Sequence, residues 1–172
     1  MRKLPLIGLA TGAVLFIADQ AVKYGVTHSL GLDQLGEERV INSIFTLRFV
    51  ANRGVSLGML HADTEAMRWG LVALTAVIAV GVLVWMFREP NKQDQIGLGL
   101  VMGGAIGNIL DRVRFGYVVD FADLHFGVWS PFLVFNVADA AITIGVLILL
   151  VRALLVRDKP RAGRASVENI NA

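Results

Sequence analysis

A chain of 172 residues that is 55% hydrophobic, with a mean hydropathy of +0.63, carries more apolar surface than one water-soluble core of that size can bury, so a membrane protein is expected. The formal net charge of +2 and pI of 9.3 do not indicate nucleic acid, because the basic residues collect beside the apolar stretches. The absence of cysteine excludes disulfides, thiol nucleophiles and cysteine metal sites, and the scattered His28, His61 and His125 show no metal-ligand spacing.

Four apolar stretches reach the roughly 20 helical residues that a hydrocarbon core requires, at about 4–26, 69–87, 96–112 and 136–156. The first follows "MRK", the charged start of a secretory signal. Its length and the lack of an A-x-A site favour a retained span instead. Near its end, "DQAVK" sets Asp19 and Lys23 at i, i+4, where a plain ion pair on one helix face is the simpler expectation. Between the first two spans, "IFTLRFV" (44–50) alternates, with Phe45, Leu47 and Phe49 opposite Thr46 and Arg48, and predicts a strand in a small sheet on the membrane surface. Farther on, "ANRGVSLG" brings Asn52, Gly54 and Ser56; a nucleophilic pair of Ser56 with Lys23 is conceivable but has no distinctive spacing.

The third stretch holds Gly99, Gly103 and Gly107 at i, i+4, i+8, a spacing that lets helices approach closely in lipid. A ligand role is the rival explanation. Asn108, Asp111 and Arg112 follow at its end, the last two adjacent and as readily a structural pair as a functional one. Asp120 is placed in a loop, flanked by apolar residues in "YVVDF" (117–121), and "DLHFGVWSPFLVF" (123–135) predicts an interfacial stretch suited to Trp129. In "FNVADAAI" (135–142), Asn136 and Asp139 imitate a capping box at the start of the fourth span. Residues 158–172 are polar and expected to form a disordered cytoplasmic tail behind a single integral-membrane domain, 1–157.

Lysines and arginines crowd the termini and the 88–95 turn, which puts both termini in the cytoplasm and segments 27–68 and 113–135 outside. Asp19, Lys23, Asn108, Asp111, Arg112, Asp120 and Asp139 then fall at one depth near the outer leaflet. Carboxylates are costly there and normally mark function. No G-x-S-x-G or phosphate loop is present. What remains is the pair Asp120 and Asp139, in which one carboxyl keeps a proton while the other activates water.

Five stretches in order, "DQAVK" (19–23), "NRG" (52–54), "GGAIGNILDR" (103–112), "VVDF" (118–121) and "FNVADAAI", resemble lipoprotein signal peptidase, or signal peptidase II, a family of bacterial integral-membrane aspartyl proteases. The resemblance runs from about residue 19 to about 150. It implies that Asp120 and Asp139 are the catalytic dyad, that Asn52, Asn108, Arg112 and Asn136 line the site, and that Asp19 and Lys23 form the first-span motif. Gly54, Asp111 and Ala138 lie in the same stretches and are grouped with them as site support. The implied fold is membrane α-helical, with four transmembrane helices, a small external β-sheet or cradle, and an external loop or helix at the outer leaflet.

The implied substrates are diacylglyceryl-modified prolipoproteins, cut just before the lipidated cysteine, with membrane lipids as surroundings and globomycin-type cyclic peptides as inhibitors. No cofactor, metal or nucleic acid is implied, and a monomer in the bacterial cytoplasmic (inner) membrane is expected, its active site near the outer, periplasmic leaflet. The family commonly continues its Asn-x-Gly with two small residues and Phe, whereas Val55, Ser56 and Leu57 follow here. Two rivals stay open: a small four-helix transporter or proton channel, which predicts carboxylates spread over depth, and a non-catalytic assembly protein.

Overall fold

The computed structural model describes residues 4–54, 64–127 and 129–155; Val55, Ser56, Leu57 and the 158–172 tail lie outside them. Four helices are long and apolar enough to cross a membrane. They are α1 (Leu6–Tyr24), which runs on into a π turn (Gly25–Ser29), α2 (Glu65–Arg88), α3 (Lys92–Phe115) and α4 (Val137–Leu155). Three strands, β1 (Glu38–Asn42), β2 (Phe45–Asn52) and β3 (Val118–Leu124), form an antiparallel sheet in the order β1-β2-β3.

Local chemistry sets the helix ends. The α2 N-cap Thr64 accepts from the Met67 N–H at 3.3 Å, and Asn91 accepts from Gln93 at 2.8 Å, so both helices begin earlier than hydropathy alone suggests. Gly116, at φ 84°, ends α3 in the left-handed conformation, its N–H donating to the Arg112 carbonyl at 3.1 Å. That sharp stop turns the chain directly into β3.

Helix α3 is the hub, packing against α1, α2 and α4. Its glycines serve close approach, as their spacing predicts, and the space is taken by this chain's own helices. A Cβ on Gly99 or Gly103 would lie 2.4 Å from the carbonyl oxygens of Gly8 and Gly12 on α1, and one on Gly104 would lie 2.6 Å from the Ala138 carbonyl on α4.

Asp120 sits on a strand, not in a loop. Residues 118–123 are all buried, and β3 pairs with β2, Asp120 opposite Val50 and Val118 opposite Asn52. Of the apolar residues that made a solvated loop implausible, Val119 and Phe121 pack with Phe49, Val26 and Leu32 between the sheet and the end of α1, and Val118 is buried as well. The alternation in β2 holds in part. Arg48 is exposed, whereas Thr46 is buried beside His125 at 3.0 Å, and a bulge interrupts the register between Leu47 and Val50.

Gly103→Val is expected to lower the thermal unfolding midpoint in detergent clearly, an overpacking cost of about 1–3 kcal/mol. Gly81→Ala, where nothing lies within 4 Å, should leave it unchanged. Equal midpoints for the two variants would contradict the close-approach account.

Candidate active site

The α1–α3 contact delivers a buried cation. Lys23 Nζ lies 2.8 Å from Asp19 Oδ2 and 2.7 Å from Asp111 Oδ2, and donates to Asn108 Oδ1 at 3.3 Å, which uses all three ammonium protons. The expected Asp19–Lys23 pair therefore exists, but it is one part of a network that crosses from α1 to α3. Asp19 lies against Gly107, where a Cβ would come within 2.6 Å of its carboxylate, and it accepts from the Ala138 N–H of α4 at 3.0 Å. Asp111 turns from Arg112 toward Lys23 and accepts from the Val119 N–H of β3 at 3.2 Å. One charge cluster thus ties α1 and α3 to both α4 and β3.

Neutral amides extend from that cluster to two further carboxylates. Asn108 Nδ2 donates to Asp139 Oδ1 at 2.9 Å. Asn136 Nδ2 donates to Asp120 Oδ1 at 2.6 Å and to Asn108 Oδ1 at 3.3 Å, while Asn52 Nδ2 donates to Asp120 Oδ2 at 2.8 Å. The capping box is present as well: Asp139 N–H donates to Asn136 Oδ1 at 2.9 Å, and Asn136 N–H donates to Asp139 Oδ2 at 3.4 Å. Asp139 is both a cap and a member of the polar cluster.

The remaining residues support this arrangement. Asn52 Oδ1 accepts from the Gly54 N–H at 3.1 Å, and Arg112 Nη2 donates to the Gly54 carbonyl at 3.0 Å, so α3 holds the end of β2. The buried Arg112 Nε has no hydrogen-bond partner among the described residues. Ala138 is fully buried between Gly104 and Gly107, where a larger side chain would push α4 away.

Two contributors escape sequence reasoning. Gln20, beside Asp19, donates to Asp19 at 3.2 Å and Asp111 at 3.0 Å; its only signal is polarity within an apolar helix. Arg68 donates from α2 to the carbonyls of Arg112 and Val113, both at 2.8 Å, and nothing in the sequence pairs it with them. Ser56, the other nucleophile considered, lies outside the described residues.

Burial pushes the Asp120 carboxyl up from the usual 3.8 to about 7, and the neighbouring Asp139 charge adds to the effect against the opposing pull of Asn52, Asn136 and Lys23. Beside Asp139 opens a cavity of about 650 Å³, walled largely by apolar side chains including Leu124, Phe132, Phe135 and Ile142. The arrangement can therefore seat an apolar chain against Asp139, with Asp120 joined to it through the Asn136 and Asn108 amides. Among the described residues no group of three or more His, Cys, Asp or Glu side chains is placed to hold a metal ion.

The fold is that of a bacterial membrane enzyme. Two solved structures so described align with TM-scores of 0.74 and 0.72, at 26% and 29% identity, covering 94% and 88% of this chain and 94% of each of theirs. The family model described as Signal peptidase (SPase) II matches residues 11–155, and the chain belongs to that family. It is similar to the lipoprotein signal peptidase of Rhizorhabdus wittichii, 51% identical over 166 residues that cover 96% of this chain and 94% of the relative. That of Sphingopyxis alaskensis is 52% identical over 161 residues, covering 94% and 91%. The transporter or proton-channel alternative finds no support in these matches.

Lys23→Met would leave Asp19 and Asp111 as unpaired buried charges and is expected to destabilise the protein by about 3–5 kcal/mol in detergent denaturation. Combining it with Asp19→Asn and Asp111→Asn should recover much of the loss. A single variant as stable as the parent would show that the cluster is not a closed ion network.

Proposed function

We infer that this chain is an aspartyl endopeptidase that removes the signal peptide from diacylglyceryl-modified prolipoproteins, with Asp120 and Asp139 as its catalytic dyad. The observation that carries this reading is the convergence of two carboxyls from separate elements, Asp120 buried on β3 and Asp139 half-buried on α4 at the edge of an apolar cavity, each held by asparagine donors. Family membership supports the substrate class.

The chemistry follows from the shared proton. With one carboxyl ionised and the other protonated, the ionised member takes a proton from water as its oxygen bonds to the scissile carbonyl carbon. The protonated member donates to the carbonyl oxygen. As the carbon–nitrogen bond breaks, a proton passes to the leaving amine, the new N-terminus of the lipidated cysteine. The pair titrates as a unit, so roles belong to the dyad and not to either residue. Asn52, Asn108 and Asn136 fix the carboxyl oxygens; Arg112 and Gly54 set the adjoining wall; Asp19, Lys23, Asp111 and Ala138 hold the helices that carry them.

The basic residues near both termini and in the 88–95 turn favour cytoplasmic termini in the bacterial inner membrane, which puts the dyad near the outer leaflet. A cysteine anchored there by its acyl chains presents its preceding peptide bond at that depth. A monomer suffices for this chemistry, because the site is assembled within one chain. Inhibition by globomycin-type cyclic peptides belongs to the same proposal.

Purified protein in detergent should cut a diacylglyceryl-modified prolipoprotein just before the modified cysteine. Asp120→Asn and Asp139→Asn should each reduce turnover by about 10²–10⁴-fold with the unfolding midpoint retained. Near-normal turnover in either would sink the dyad assignment. Because the Asp120 carboxyl lies at about 7, the singly protonated pair is lost as pH rises through that value, and kcat/KM should then fall about tenfold per pH unit. Asn52→Ala removes a donor that favours the charged form and should move this limb to higher pH; an unmoved limb would detach the Asn52–Asp120 contact from catalysis.

A further inference from the structure

A second cavity, of about 430 Å³, lies on the other side of the Lys23 cluster, between the outer ends of α1 and α3 and beneath the sheet. Its floor is the buried Lys23–Asp111 pair with Gln20, and none of the chemistry proposed above uses its mouth. Two charges of opposite sign line that mouth, Arg114 at the end of α3 and Asp33 in the loop after the π turn. Among the described residues neither has an ion-pair partner; Arg114 rests on the Phe115 ring at 5.3 Å. Aromatic rings complete the walls, with Tyr24 stacked on His28 at 4.2 Å and Phe115 on Tyr117 at 6.0 Å.

Depth decides what can reach this cavity. The 24 residues of α3 span about 36 Å, slightly more than a hydrocarbon core, so Arg114 stands at the level of lipid headgroups. Below it the exposed Ile17, Val22, Ile106 and Val113 present aliphatic surface to acyl chains. A cation and an anion facing one headgroup-sized space at that level complement a head that carries both signs. We propose that this cavity is a binding site for a phospholipid with a phosphate and a primary ammonium, phosphatidylethanolamine. Arg114 takes the phosphate in its planar fork and Asp33 accepts from the ammonium. A choline head has no N–H to give Asp33, and a glycerol head has no cation. The bound head closes the mouth over the Lys23–Asp111 pair and keeps bulk water from it.

The proposal is independent of the peptidase assignment, and binding tests it directly. Full-length protein in detergent would be examined by native mass spectrometry with phosphatidylethanolamine, phosphatidylcholine or phosphatidylglycerol of matched acyl chains. The expected result is one phosphatidylethanolamine retained per chain, at least about fivefold over either other lipid. Arg114→Gln and Asp33→Asn should each reduce that retention about fivefold or more, while Arg39→Gln on the distant β1 leaves it unchanged. Cleavage of the detergent-solubilised substrate should stay near normal in both cavity variants, since neither residue touches the dyad. Equal retention of the three lipids, preference for phosphatidylglycerol, or unchanged retention in Arg114→Gln and Asp33→Asn would each overturn the assignment.

Discussion

The site depends on the line along which the α1 and α3 backbones touch. Gly99 and Gly103 bring α3 against Gly8 and Gly12, where a Cβ on either α3 glycine would strike the α1 backbone. Further along the same line, Gly107 leaves room for Asp19, and Lys23 falls within reach of Asp111 and Asn108. A shift of α1 by one residue would turn Lys23 toward lipid and leave two carboxylates stranded. A buried ion cluster of this kind adds little net stability, since removing each charge from water costs several kcal/mol. Its effect is on register. Of the ways four apolar helices could pack in a featureless solvent, the cluster selects the one that satisfies Asp19, Asp111 and Lys23 together.

The two carboxyls of the proposed dyad are held by a different kind of contact. Their side-chain donors are Asn52, Asn108 and Asn136, all uncharged. A lysine or arginine in direct contact would hold both carboxylates ionised and leave no proton to share. Lys23 stands one asparagine away, so its charge reaches Asp139 through the Asn108 amide. That separation fixes the position of the oxygens while leaving their protonation open. The same asparagine that supports Asp120 starts α4, so the helix start and the site geometry are one constraint.

The sequence makes some of this legible and hides the rest for physical reasons. The four spans follow from run length, and the Asn136–Asp139 cap follows from a three-residue spacing, because both are local. The glycine spacing on α3 correctly signals close packing, but it does not name the partners: Gly8 and Gly12, themselves at i, i+4, lie about ninety residues earlier, and the match of the two pairs exists only in the fold. Asp120 reads as an odd loop carboxylate because its strand exists only through pairing with β2, some seventy residues away. Lys23 illustrates the same limit. Its i, i+4 neighbour is visible in the sequence; Asp111, at a shorter distance, is not.

Asn136 and Asp139 stand at the head of the fourth span, which is synthesised after the other three. Until α4 is in the membrane, Asp19 lacks the Ala138 N–H, Asp120 lacks the Asn136 amide, and Asp139 has not joined the cluster. The order of synthesis therefore imposes a safeguard on biogenesis. With the proposed dyad, a growing chain that lacks its fourth span holds only one of the two carboxyls, so activity waits on assembly of the whole site.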